Sequence, residues 1–154
     1  MSQALAGAAR IDQYRNKGSD QPLRVEQARA FRALCRRYGV PLIINDDIEL
    51  ARKVPAEGIH LGQQDATLEY ARDRLGQHCI IGISCYNDFS LAQQAAVKGA
   101  DYIALGALFS SGTNPLALAA SPEMLYRAKQ ELDIPVVAIG GITPQNSADL
   151  LDAG

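Results

Sequence analysis

The 154-residue chain contains no tryptophan and no low-complexity tract. It has no apolar run long enough to cross a bilayer, so a helical membrane span is not expected. Cysteine is sparse: Cys35, Cys79 and Cys85 form no CxxC pair and no Cys/His metal spacing. Reduced thiols in a cytoplasmic protein fit that pattern best. Charge of one sign is lacking too. Fifteen Lys and Arg against 17 Asp and Glu leave a formal net charge of -2, and nothing marks a nucleic-acid or membrane surface. The opening MSQALAGAAR lacks a basic leader followed by an apolar block, so no signal peptide is expected. What remains is an ordinary globular composition, 47% hydrophobic and 21% charged. The length predicts one domain over residues 1–154.

One pattern recurs along the chain. A short β-branched apolar run leads into polar or glycine residues, then a helical stretch, then the next run. The runs are ARIDQYR (9–15), VPLIIND (40–46), GIHLG (58–62), CIIGISC (79–85), DYIALGALF (101–109) and IPVVAIGG (134–141). Most are apolar on both faces, as parallel strands covered by helices should be. Helical spacing appears over 22–38, 66–75 and 88–99, with Gly39, Gly76 and Gly99 as stops. Ser121-Pro122-Glu123 reads as an N-cap, a first-turn proline and a first-turn acid, and Thr143-Pro144 repeats that opening. The segment 47–57 has room for a turn or two of helix. Strand–helix alternation of this kind implies α/β architecture with a parallel sheet, either open or part of a (β/α)8 barrel.

Both folds gather chemistry at the C-terminal ends of their strands. Those ends carry Gln13, Arg15 and Lys17, then Asn45, Asp46 and Asp47, then Gln63, Gln64 and Asp65, then Ser84, then Ser110, Ser111, Gly112 and Thr113, then Gly140 and Gly141. Two acids, Asp46 and Asp65, suit a hard divalent cation that completes its shell with water and phosphate. Arg15 and Lys17 offer positive charge to phosphate oxygens. Gly140-Gly141 ahead of Thr143-Pro144 offers backbone N–H groups at a helix N-terminus. Each piece also has a plainer reading. Asp65 could cap the helix that follows it, and Asp46 or Asp47 the short one. Arg15 and Lys17 could be solvated loop charges, and His60 a packed histidine. Cys85 has no histidine near it in sequence to activate it, so it is read as packing.

The pieces QYRNKGSD, PLIINDDIELA, GIHLGQQD, IIGISCYN, GADYIALGALFSSGT and VVAIGGIT, in this order and spacing, resemble the thiamine phosphate synthase family, which also holds the thiazole tautomerases. The resemblance implies a (β/α)8 TIM-type barrel, with about six of the eight βα units visible in this chain. It implies a transferase that couples hydroxymethylpyrimidine diphosphate to thiazole phosphate, giving thiamine phosphate and pyrophosphate with Mg²⁺ on the diphosphate. Carried over by position, Asp46 and Asp65 are the Mg²⁺ ligands. Gln13, Arg15, Lys17 and Asn45 contact the pyrimidine diphosphate, and Ser84 the diphosphate or pyrimidine. Ser111, Thr113 and Gly141 hold the thiazole phosphate. Arg15, Lys17 and Ser84 are the residues implied in catalysis.

Three departures accompany the resemblance. Asn114 stands where the family has a lysine on the diphosphate, which predicts slower turnover. Tyr86 stands where the tautomerases have a histidine, which argues against that activity. Barrels of this kind need about 200 residues or more. A helix is expected already under way at residues 3–8, with no strand before it, and the final helix NSADLLDAG stops where the last strand would begin. The first and eighth strands are therefore expected to be missing. A six-stranded remnant would leave two sheet edges uncovered. The alternatives to the synthase are a non-catalytic or crippled phosphate-ligand barrel, and a thiazole tautomerase. The expected partners are small-molecule substrates, with no nucleic acid and no membrane, and with homo-oligomer formation left open.

Overall fold

The computed structural model describes residues 9–109 and 120–152, in which short parallel strands alternate with helices. The Cα trace divides into two compact units. One comprises Met1–Leu61 with Asp65–Ile81, the other Gly62–Gln64 with Gly82–Gly154.

The first unit runs β1 (Asp12–Tyr14), α1 (Gln21–Arg37), β2 (Leu42–Asn45), α2 (Ile48–Lys53), β3 (Gly58–Leu61) and α3 (Leu68–Leu75), and ends with the first two residues of β4 (Ile80–Tyr86). β1 pairs with β2, and β2 with β3, all parallel, with Gln13 opposite Ile43 and Asn45 opposite His60. Leu42, Ile43, Ile44, Ile59 and Leu61 are fully buried. Successive residues of a strand point to opposite faces, so both faces of β2 and β3 are covered, as their unbroken apolar runs predict. The helix α1 starts where Asp20 accepts a hydrogen bond from the Leu23 N–H and Pro22 fills the first turn. It ends before Gly39, and its buried stripe includes Ala28 and Cys35. Tyr14 packs edge-on against Phe31, tying β1 to this helix.

The second unit holds the rest of β4, then α4 (Phe89–Val97), β5 (Tyr102–Leu105), α5 (Pro122–Glu131), β6 (Val136–Ala138) and α6 (Ala148–Asp152). β5 lies between β4 and β6, parallel to both. All four residues of β5 are buried, whereas β6 is only partly covered. At Gly82 the Tyr102 ring lies directly on the backbone: a Cβ there would sit 2.0 Å from Tyr102 Cζ. Ser121 caps α5 through the Met124 N–H, as its sequence predicts.

The six apolar runs are the six strands. Two expectations need correction. Asp65 does not cap α3; Thr67 does, accepting from the Tyr70 N–H at 3.2 Å. Thr143-Pro144 does not open a helix either. Asn146 folds back there, its Oδ1 accepting from the Thr143 N–H and its Nδ2 donating to the Gly141 carbonyl, and α6 begins only at Ala148. Ser111, Thr113 and Asn114 lie outside the described residues, as does the helical stretch expected over 3–8. Among the described residues no helix is long and apolar enough to cross a membrane.

Candidate active site

Several interactions meet at the corner that ends β2. Asp46 adopts φ 58°, a left-handed conformation unusual for a residue with a Cβ. Its N–H donates to the His60 carbonyl at 2.8 Å, which extends the β2–β3 ladder by one bond. The next N–H, of Asp47, turns back to the Asn45 carbonyl at 2.8 Å. This places the Asp46 carboxylate beside two donors. Lys17 Nζ, from the segment after β1, pairs with Asp46 Oδ2. Asn45 Nδ2 donates to the same oxygen at 2.8 Å. Asp47 caps α2 through Oδ1, as expected, and its Oδ2 accepts from Arg24 Nη2 at 2.8 Å.

Lys17, Asp46 and Asp47 line a cleft of about 440 Å³ with Asn16, Arg24 and Tyr70. Gln13 and Arg15 line a neighbouring hollow of about 630 Å³ with Gln27 and Phe31, and Lys17 borders both. The structure therefore brings Lys17, Asn45 and Asp46 together and sets Gln13 and Arg15 beside them. Asp65 lies on the exposed segment after β3. Its charge reaches His60, whose pKa burial pushes below the ordinary value while Asp65 pulls it partly back. His60 is only 7% exposed, a packed histidine as predicted.

In the second unit Ser84 is half-buried near the end of β4, where the register with β5 shifts between Ser84 and Tyr86. Gln63 Nε2 donates to the Ser84 carbonyl at 2.6 Å. Tyr86 is exposed and left-handed at φ 52°. Cys85 is fully buried, and burial, helped by Asp88, pushes its thiol up to about 12. It is packing, not a nucleophile. Gly140 and Gly141 both have positive φ, at 94° and 64°. Because α6 starts at Ala148 and not at Thr143, Gly140 and Gly141 form a glycine turn rather than the start of a helix.

Sequence reasoning missed the Arg24–Asp47 pair of the first unit and the Gln63–Ser84 bond of the second. Arg24 belongs to a helix and not to a strand end, and nothing local in its sequence marks its partner. Gln63 was in view at a strand end, but its bond to Ser84 crosses 21 residues.

A sequence profile described as thiamine monophosphate synthase matches residues 1–154, the whole chain. The chain belongs to the thiamine monophosphate synthase family. It is 50% identical to the thiamine-phosphate synthase of Nitrosospira multiformis over 98% of its own length and 64% of that protein's. It is 52% identical to the thiamine-phosphate synthase of Marinobacter nauticus, over 98% of the chain and 68% of the relative. Among solved structures, thiamine phosphate pyrophosphorylase from Pyrococcus furiosus superposes with a TM-score of 0.90 at 33% identity, covering 99% of this chain and 73% of that one. The chain thus spans about two thirds of the length of these thiamine monophosphate synthase relatives.

Proposed function

We propose that this chain carries the thiamine phosphate synthase reaction, joining hydroxymethylpyrimidine diphosphate to thiazole phosphate with loss of pyrophosphate, and that its strands are part of a (β/α)8 barrel. The observation that supports this best is the left-handed corner at Asp46, which presents a carboxylate, an ammonium and an amide at one strand end.

The donor set suits Mg²⁺. Asp46 and Asp65 follow adjacent strands and offer hard carboxylate oxygens. Among the described residues no group of three or more His, Cys, Asp or Glu side chains is gathered for a metal. Mg²⁺ needs only one or two carboxylates, taking the rest of its shell from water and substrate phosphate. When bound, it would offset charge on the diphosphate and ease its departure.

The chain's own groups do the rest. Lys17 and Arg15 place positive charge where negative charge grows on the leaving pyrophosphate. Gln13 and Asn45 orient the pyrimidine diphosphate, and Ser84 contacts the diphosphate or the pyrimidine. Ser111, Thr113 and the Gly141 backbone hold the thiazole phosphate. Asn114 keeps a donor without the charge that the lysine of the resembled family would bring. The test is an assay of the purified chain with both substrates and Mg²⁺, following thiamine phosphate, beside Asp46→Ala. Product that disappears in the variant is the expected result. A folded chain that makes no product overturns the proposal.

A further inference from the structure

We propose that Arg24 is a positioning residue for the β2 corner: through Asp47 it holds the Asp46 carboxylate in the orientation the metal requires. The inference rests on the reading of Asp46 as a metal ligand and adds to it a residue from a different element, which touches no metal itself. A left-handed residue bearing a Cβ persists only where its surroundings over-determine it. On its N-terminal side Asp46 is fixed by β2 and by the bond from its N–H to the His60 carbonyl. Its carboxylate is held directly by Lys17 and Asn45, and on its C-terminal side its backbone runs into Asp47, whose two carboxylate oxygens have separate tasks. Oδ1 caps α2 at the Leu50 N–H, 2.9 Å away, and Oδ2 takes Arg24 Nη2 at 2.8 Å.

Capping alone does not call for the second contact, because an asparagine caps a helix about as well as an aspartate. The ion pair is an addition, and it is well shielded: the two side chains are 12% and 20% exposed. Arg24 also leaves its Nε buried without a hydrogen-bond partner. Groups that orient metal ligands typically change metal affinity by about 10- to 100-fold when removed.

The experiment measures calorimetric binding of inorganic pyrophosphate, with and without Mg²⁺, together with thermal melting. It compares the wild-type chain with Arg24→Gln, Asp47→Asn and the pair combined. Asp47→Asn retains the cap and loses the ion pair, so it answers the question even if Arg24→Gln fails to fold. The expected result is a loss of about tenfold or more in Mg²⁺-dependent pyrophosphate affinity in each single variant. The double variant should be no worse, and Mg²⁺-free binding should be unchanged. Two results overturn the inference. If both variants melt earlier but bind Mg²⁺ and pyrophosphate like wild type, the pair only supports the fold. If Arg24→Gln weakens binding while Asp47→Asn does not, Arg24 meets phosphate directly. Asp46→Ala separates this from the parent reading: Mg²⁺-dependent binding that survives it removes Asp46 as a ligand, and the positioning role with it.

Discussion

Cys85 and Cys35 show how burial, ahead of nearby acids, governs thiol reactivity. Both are fully covered, and burial is the largest influence raising each thiol, followed for Cys35 by the charge of Asp12. A thiol-directed alkylating reagent near neutral pH should therefore leave both untouched in the folded chain and modify both after denaturation, which mass spectrometry would read. The raised pKa also carries a pH dependence. Cys85 holds its proton up to about 12 when folded, against 9.0 when unfolded. Between those values the unfolded chain has released a proton the folded chain keeps. This contribution to stability is therefore complete below pH 9 and declines as pH rises toward 12. Urea midpoints at pH 8 and about pH 10 should fall further for the wild-type chain than for Cys85→Ala. At this scale the sequence was legible where the cause is local. Asp47 as a cap and Cys85 as packing depend on a few neighbouring residues or on an apolar strand. The left-handed Asp46 and the Arg24–Asp47 pair were not legible. The first depends on a ladder bond to His60, and the second joins residues 23 apart in the chain.

The helices divide by how they are started. Asp20, Asp47, Thr67, Asp88 and Ser121 each accept from a backbone N–H two or three residues on. The case of α3 separates two roles the sequence left tangled, because Asp65 and Thr67 both precede it. Thr67→Ala should cost about 1 kcal/mol of stability in chemical denaturation. Asp65→Ala should cost no such capping energy while weakening Mg²⁺-dependent pyrophosphate binding. If Asp65→Ala proved the more destabilising of the two, the cap assignment would be wrong. The sixth helix was misjudged for a related reason. Thr143-Pro144 has the composition of a helix start, but Asn146 answers the Thr143 N–H first and makes a turn of it. A side chain that bonds its own nearby backbone competes with helix formation, and composition alone does not reveal which wins.

Over the whole molecule, the division between buried strands and polar strand ends sets where the structure should resist opening. β3 and β5 are buried along their length, and β2 is buried except at Asn45. Val136, Val137 and Ala138 of β6 are partly or openly exposed. Amide hydrogen exchange should be slowest in β2, β3 and β5 and distinctly faster in β6, since local opening tracks buried apolar contact. Equal protection across all of them would contradict this. The α/β alternation and the strand positions were readable because unbroken apolar runs and glycine stops repeat along the chain. The division of the Cα trace into two units was not, because no change of composition marks it.

The contact between Gly82 and the Tyr102 ring has a consequence for how related sequences vary. With the Tyr102 ring 2.0 Å from where a Cβ at 82 would stand, no side chain can be added at 82 unless that ring moves or is replaced by something smaller. Positions 82 and 102 should therefore covary: a side chain at the first should be accompanied by a small residue at the second. A library randomised at 82 alone should return glycine, and one randomised at both should return matched pairs.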